Sequence, residues 1–156
     1  MLHSRQHGFR KGRNTCSAAC SVLVEALDSL EGKMLTSLQL FDLSKAFDLV
    51  PFNLLAEKLA HYGISSVGLS FFESYLMGWK QVVFFNGEQS EEIGIPCGIK
   101  QGSGLGPCLF IIYINDLVYH SQDTFFLSLF ADDVTAVVQA SSSEGLERNM
   151  TAFRPD

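Results

Sequence analysis

The stretch Phe125-Phe126-Leu127-Ser128-Leu129-Phe130-Ala131-Asp132-Asp133-Val134-Thr135-Ala136-Val137-Val138 decides the fold. Two runs rich in aromatic and β-branched residues flank adjacent acids, which predicts a β-hairpin with Asp132 and Asp133 at its tip. Adjacent carboxylates repel each other, and bound divalent cations resolve that repulsion. A plain polar turn would also suit the pair, because Asp tolerates unusual backbone angles. An earlier acid adds weight to the first reading. Met34 to Phe41 reads as a strand with Leu38 and Leu40 on one face, and Asp42 arrives at its end on the same parity.

Outward from these acids, helices alternate with strands, without internal repeats or low-complexity linkers. Ala19, Val22, Leu23, Ala26, Leu27 and Leu30 recur at helical spacing after Asn14-Thr15, which can cap the start, and Gly32 can end the helix. Pro51 suits the first turn of a second helix carrying Leu54, Leu55 and Leu59 and stopping near Gly63. Ser65-Ser66 can open a third, through Phe71, Phe72, Tyr75 and Leu76. Lys80 to Phe85, the tight-turn pair Asn86-Gly87, and Glu91 to Ile99 predict a hairpin. Gly104 to Tyr119 predicts a fourth helix, apolar enough to be mostly buried, with Pro107 tolerated in its first turn. A last helix starts at Ser142 and is expected to be cut short by the C-terminus. The order predicts an α+β fold, an antiparallel sheet backed by helices.

With 156 residues and 47% hydrophobic content, the chain is expected to form one domain with a real core. Seventeen acids against 11 Lys and Arg give a net charge of −6, which argues against strong nucleic-acid binding by this segment alone. No apolar leader follows His3, Arg5, His7 and Arg10, and the apolar run Cys108 to Ile114 is too short for a bilayer, so an intracellular protein is expected, cytoplasmic or nuclear. Cys16, Cys20, Cys97 and Cys108 fit reduced thiols. His3, His7, Cys16 and Cys20 match no common zinc spacing. Gly102-Ser103-Gly104-Leu105-Gly106-Pro107 fits neither a dinucleotide fingerprint nor a P-loop. Asn149-Met150-Thr151, a glycosylation acceptor by sequence, would be idle without secretion.

Phe41-Asp42-Leu43-Ser44-Lys45-Ala46-Phe47-Asp48, then Gly98-Ile99-Lys100-Gln101-Gly102-Ser103-Gly104-Leu105-Gly106-Pro107 running into Cys108 to Leu117, then Phe130-Ala131-Asp132-Asp133, form an ordered set. Together with Gln6-His7-Gly8-Phe9-Arg10-Lys11-Gly12-Arg13-Asn14-Thr15, it resembles the reverse transcriptase of non-LTR (LINE, jockey-like) retrotransposons over nearly the whole chain. The resemblance implies a polymerase-palm-like sheet, with residues 1–33 a fingers-proximal segment and helix and 34–156 the palm core. It implies RNA-directed DNA synthesis with two divalent cations, Mg²⁺ or alternatively Mn²⁺, acting on dNTPs, a DNA primer and an RNA template. Asp42 and Asp132 become the main metal ligands, Asp133 the third family acid, and the Leu43 carbonyl part of the metal shell. Phe47 would lie beneath the incoming sugar and exclude a 2′-hydroxyl, unless it is ordinary core packing. Gln101 and Gly102 would touch the nucleotide, while Arg10, Lys11 and Arg13 would contact phosphate or template. Asp48 is expected to be structural, capping the next helix.

Three departures from the family pattern stand out: Lys100 where proline is usual, Trp79 where arginine is common, and Phe52 where histidine commonly follows Val50-Pro51. None removes an acid. The family's upstream fingers motif, a later lysine-bearing motif, the thumb and an endonuclease lie outside this sequence, so a fragment truncated at both ends is expected. A catalytic palm, a degenerate inactive remnant, and a non-catalytic nucleic-acid or protein interaction module are the three readings in play.

Overall fold

The computed structural model describes residues 1–120 and 125–152. The expectation that the last helix is cut short falls on 153–156, outside the described residues. The chain groups into two compact units, Leu2–Ser44 with Ile114–Asp156 and, inserted between them in sequence, Lys45–Tyr113.

The unit that holds the acids opens with α1 (Thr15–Glu31). Asn14 caps it reciprocally: its side chain accepts from the Ser17 amide at 2.9 Å, and the Ser17 hydroxyl accepts from the Asn14 amide at 3.0 Å. Strand β1 (Leu35–Asp42) follows. Gly32 caps the C-terminus of α1, while the left-handed conformation between the two elements falls on Lys33, at φ 57°.

β1 pairs antiparallel with the last strand of a three-stranded sheet, whose two other members complete the hairpin expected at Phe125. Alternation sorts that hairpin's side chains. Leu127, Leu129, Val134, Ala136 and Val138 are buried on one face, against Leu146 and Met150 of the C-terminal helix Ser143–Ala152. Burying each of these leucines and valines contributes about 1.5–3 kcal/mol, so this face anchors the sheet. α1 covers the other face, where the Ser29 hydroxyl donates to Gln139 at 2.6 Å and the Ser21 and Ser128 hydroxyls meet at 3.2 Å.

In the inserted unit, α2 (Phe52–His61) and α3 (Ser66–Leu76) bury Phe52, Leu55, Leu59 and Leu76. Four two-residue strands follow: β2 (Lys80–Gln81), β3 (Phe84–Phe85), β4 (Glu88–Gln89) and β5 (Ile93–Gly94). Asn86 and Gly87 both take positive φ, 50° and 83°, the signature of the turn expected there. The ladders differ from expectation. The return strand begins at Glu88 and ends at Gly94, short of Ile99. Pairing also slips by one residue between Phe84↔Gln89 and Lys80↔Gly94. The slip is a bulge, in which the Val83 amide turns to the Ser90 hydroxyl at 2.9 Å.

The fourth helix is shorter than predicted. α4 runs Gly106–Tyr113, its start fixed by the Ser103 hydroxyl accepting from the Gly106 amide at 2.9 Å. A 3₁₀ turn, Asn115–His120, replaces its second half. At the break the Lys58 ammonium takes the Tyr113 carbonyl at 2.6 Å, so that carbonyl bonds a side chain. The Leu117 amide then bonds one residue short, to Ile114 O at 3.0 Å. Apolar periodicity cannot register such a break, since buried apolar residues continue across it, from Leu109, Phe110 and Ile111 to Ile114 and Val118. Beyond it come β6 (Phe125–Phe130), β7 (Asp133–Ala140) and α5 (Ser143–Ala152), giving the sheet order β1-β7-β6.

Candidate active site

The β1–β7 ladder sets Asp42 directly opposite Asp133. Directly opposed residues of an antiparallel pair project to the same face with Cβ atoms about 4.5–5.5 Å apart, so two carboxylates share one patch of surface. Phe130 pairs with Asp133 from the other side, which leaves Ala131 and Asp132 as a two-residue turn. Asp42 and Asp133 are exposed and Asp132 half-buried. Like charges placed this way destabilise a ladder. Among the described residues no cation is salt-bridged to any of the three.

The donor set suits a hard divalent cation, which takes one or two carboxylates and keeps several waters. It is not a closed cage: among the described residues no three His, Cys, Asp or Glu side chains gather closely enough to hold a metal. The alternative His3, His7, Cys16 and Cys20 site is likewise not formed. The four cysteines are free thiols. Leu43 continues directly from β1 and packs its side chain on the sheet core, which fixes the chain just beyond Asp42. Asp42 and Asp133 also help wall a groove of about 660 Å³ between α1 and the sheet, lined mostly by apolar side chains such as Val22, Leu38 and Leu40 together with the hydroxyls of Thr15, Ser128 and Thr135.

The turn is strained. Ala131 has φ 57°, a left-handed backbone that costs a non-glycine residue roughly 1–2 kcal/mol. Beneath it lies the residue the sequence reading left out of the site, Gln6, fully buried and hydrogen-bonded to Ala131 through both ends of its carboxamide.

The basic cluster divides. Arg10 is half-buried and donates from Nη1 to the carbonyls of His3 at 2.6 Å and Gln6 at 3.1 Å, so it ties down its own loop. Lys11 and Arg13 are exposed. His7 is buried beside them, Nδ1 2.8 Å from the Ser17 hydroxyl, and burial, then Arg13 and Arg10, hold its pKa below the usual value.

Phe47, Gln101 and Gly102 belong to the inserted unit. Phe47 is half-buried and stacks on Phe110 with ring centroids 4.2 Å apart. Its carbonyl accepts from the Ile99 amide at 2.7 Å, so the ring has a fixed seat. Gln101 and Gly102 are exposed on a loop where Gly102 takes φ 77°. Asp48 does not cap α2, whose N-cap is Pro51. Instead its carboxylate accepts from Gln101 Nε2 at 3.0 Å and its carbonyl from the Cys97 thiol at 3.3 Å, anchoring the loop that carries Gln101. A side chain at Gly98 would meet the Asp48 carbonyl at 2.7 Å, so glycine is required there. Two of the departures noted above are partners: the Lys100 ammonium sits over the Trp79 ring at 3.8 Å.

Known proteins with this sequence pattern form a consistent set. The family described as "Reverse transcriptase (RNA-dependent DNA polymerase)" matches residues 1–154. The "Probable RNA-directed DNA polymerase from transposon X-element" of Drosophila melanogaster is 30% identical over 132 residues, 83% of this chain and 14% of that protein. The "RNA-directed DNA polymerase from mobile element jockey" of the same species is 28% identical over 162 residues, covering 96% of this chain and 17% of its own length. The chain thus spans less than a fifth of either relative. Among solved structures, apo telomerase from Candida tropicalis truncated from its C-terminal domain overlays with a TM-score of 0.64 at 18% identity, over 88% of this chain and 31% of that one. That likeness carries the fold, the α+β palm-like arrangement expected from the sequence.

Proposed function

The chain belongs to the reverse transcriptase family, and from that membership we propose that it is the catalytic palm of an RNA-directed DNA polymerase of the non-LTR retrotransposon type, acting within a longer protein. The observation that carries this reading is the register that sets Asp42 against Asp133 beside the Asp132 turn. An inactive remnant or a binding module has no need to keep all three acids in that arrangement.

In this reading Asp42 and Asp132 hold two Mg²⁺ ions, with the Leu43 carbonyl beside the triphosphate and Asp133 in a weaker supporting role. When bound, the cations lower the pKa of a primer 3′-hydroxyl and neutralise the triphosphate and departing pyrophosphate. The protein's part is placement. The sheet keeps the carboxylates in register, and Gln101, steadied by Asp48, offers a side-chain hydrogen bond to the incoming nucleotide. Gly102 lets the backbone approach that nucleotide closely. Phe47, held against Phe110, presents a ring that excludes a ribose 2′-hydroxyl. Lys11 and Arg13 are the residues for phosphate contact. Template RNA and primer DNA are then gripped mostly by parts of the longer protein, since this segment carries a charge of −6. The setting is intracellular, cytoplasmic or nuclear.

The test is primer extension on an RNA template by a complete polymerase containing this segment. Asp132→Ala abolishes extension while leaving the thermal midpoint within a few degrees; retained extension would sink the assignment of the acids. Phe47→Ala raises ribonucleotide incorporation relative to deoxynucleotide, and an unchanged ratio would leave Phe47 as packing alone.

A further inference from the structure

The turn between β6 and β7 poses a backbone problem that the hairpin does not solve by itself. Ala131 occupies the first turn position, where its N–H and C=O have no partner across the ladder. It is also 5% exposed, so water does not take their place. Its left-handed conformation is one that glycine adopts freely and alanine does not.

Gln6 supplies what is missing. The segment Arg5 to His7 docks on the outer edge of β6 as a parallel bridge at Gln6↔Leu129, fixed by the Leu129 amide donating to Arg5 O at 2.9 Å and the His7 amide donating to Leu129 O at 2.7 Å. From there the Gln6 side chain, 0% exposed, reaches the turn. Its Oε1 accepts from the Ala131 amide at 3.1 Å, and its Nε2 donates to the Ala131 carbonyl at 3.4 Å. The same Oε1 accepts from the Gly8 amide at 2.7 Å, which fixes the carboxamide plane. Only a side chain with a donor and an acceptor side by side can do this; an ionised glutamate lacks the donor, and methionine has no donor and only a weakly accepting sulfur. Gly8 has its own reason to be glycine, since a Cβ there would stand 2.2 Å from the Ala131 nitrogen.

From this geometry we infer that Gln6 is the positioning residue of the acid turn, gripping the Ala131 peptide so that Asp132 and the first residue of β7 are held where they oppose Asp42. The inference deepens the reading of those acids as cation ligands and rests on it for its consequence, but the grip itself is a matter of backbone. Carboxylates on a turn free to relax would lose the sub-ångström placement that paired cations demand.

Two readouts on the 156-residue chain separate the grip from its consequence. Amide exchange at Ala131 and Asp132, followed by NMR without added metal, accelerates in Gln6→Met while exchange in α5 stays the same. Manganese affinity, followed by electron paramagnetic resonance, falls about tenfold in Gln6→Met, the usual size for a lost outer-shell partner. Adding Ala131→Gly, which removes the strain the glutamine restrains, restores much of that affinity. Unchanged exchange at Ala131 overturns the inference. So does unchanged manganese affinity in Gln6→Met when Asp132→Ala abolishes it, because the role is then only structural. If Asp132→Ala leaves manganese affinity unaltered, the cation reading fails, and exchange at Ala131 still decides the grip. Should Gln6→Met not fold, Gln6→Asn, which keeps an uncharged carboxamide but is one methylene too short to reach the Ala131 peptide, is judged by the same two readouts with the same expected direction.

Discussion

Two hairpins in this chain solve the same problem in opposite ways. Between β3 and β4, Asn86 and Gly87 take positive φ with residues suited to it, and the flanking Phe84 and Phe85 are 70% and 75% exposed. Between β6 and β7, the turn begins with an alanine at φ 57°, the strands are buried, and the backbone groups of the turn are satisfied by a glutamine 125 residues away. The first hairpin is locally consistent and carries no candidate chemistry. The second breaks a local rule, is braced from a distance, and carries the acids. Strain held in place by surrounding structure is where a functional site is expected, because the conformation there serves the placement of side chains and not the ease of the turn.

The sharpest way to break that contrast is to insert a methyl group on each side. Gly8→Ala drives a Cβ into the Ala131 backbone, which cannot yield like a flexible side chain, and is expected to cost about 3 kcal/mol or more in urea denaturation. Gly87→Ala meets nothing within 4 Å and pays only for its positive φ, roughly 1 kcal/mol. Equal costs would mean that the acid turn is no more tightly braced than the open one. Relieving the strain sharpens the comparison: Ala131→Gly is expected to stabilise by up to about 1 kcal/mol, the left-handed penalty outweighing the added freedom of the unfolded chain. A loss of stability would show that the methyl packing at Ala131 matters more than its φ.

The smallest expected effect is a pH dependence. His7, beside the bracing glutamine, has its pKa lowered from 6.5, by burial first and then by Arg13 and Arg10. The unfolded chain therefore binds more protons, so His7 contributes stability above pH 6.5 that is lost as the pH falls through its lowered folded value. Hydrogen exchange at about pH 7.5 and about pH 5.5 is expected to show the β6–β7 turn loosening on acidification more than the Asn86-Gly87 turn, once intrinsic exchange rates are corrected. Equal behaviour of the two turns would remove His7 from the bracing.

What was legible in the sequence follows the range of the interactions. The capped helix α1, the parity of Asp42 with Leu38 and Leu40, the Asn-Gly turn and the acid hairpin are written in residues close together, and each is found where expected. The break after Tyr113 was not legible, because it depends on Lys58 reaching a carbonyl 55 residues away. Arg10 offered a basic cluster that looks alike whether it meets phosphate or its own loop carbonyls. Asp48 read as a cap, since nothing nearby marks Gln101 as its partner. At the site, Gln6 was quoted within a motif yet given no role, because no local pattern announces a side chain whose purpose is to complete a distant peptide group.

The long insertion between the two halves of the acid-bearing unit has a practical corollary. Residues 45–113 form a compact unit inserted in sequence after β1 and before the 3₁₀ turn Asn115–His120. Each doubling of a flexible loop adds only about 0.6 kcal/mol of closure cost. The solvent-facing tip at Asn86-Gly87 is therefore a natural place to splice in an affinity tag or fluorophore without disturbing the opposition of Asp42 and Asp133.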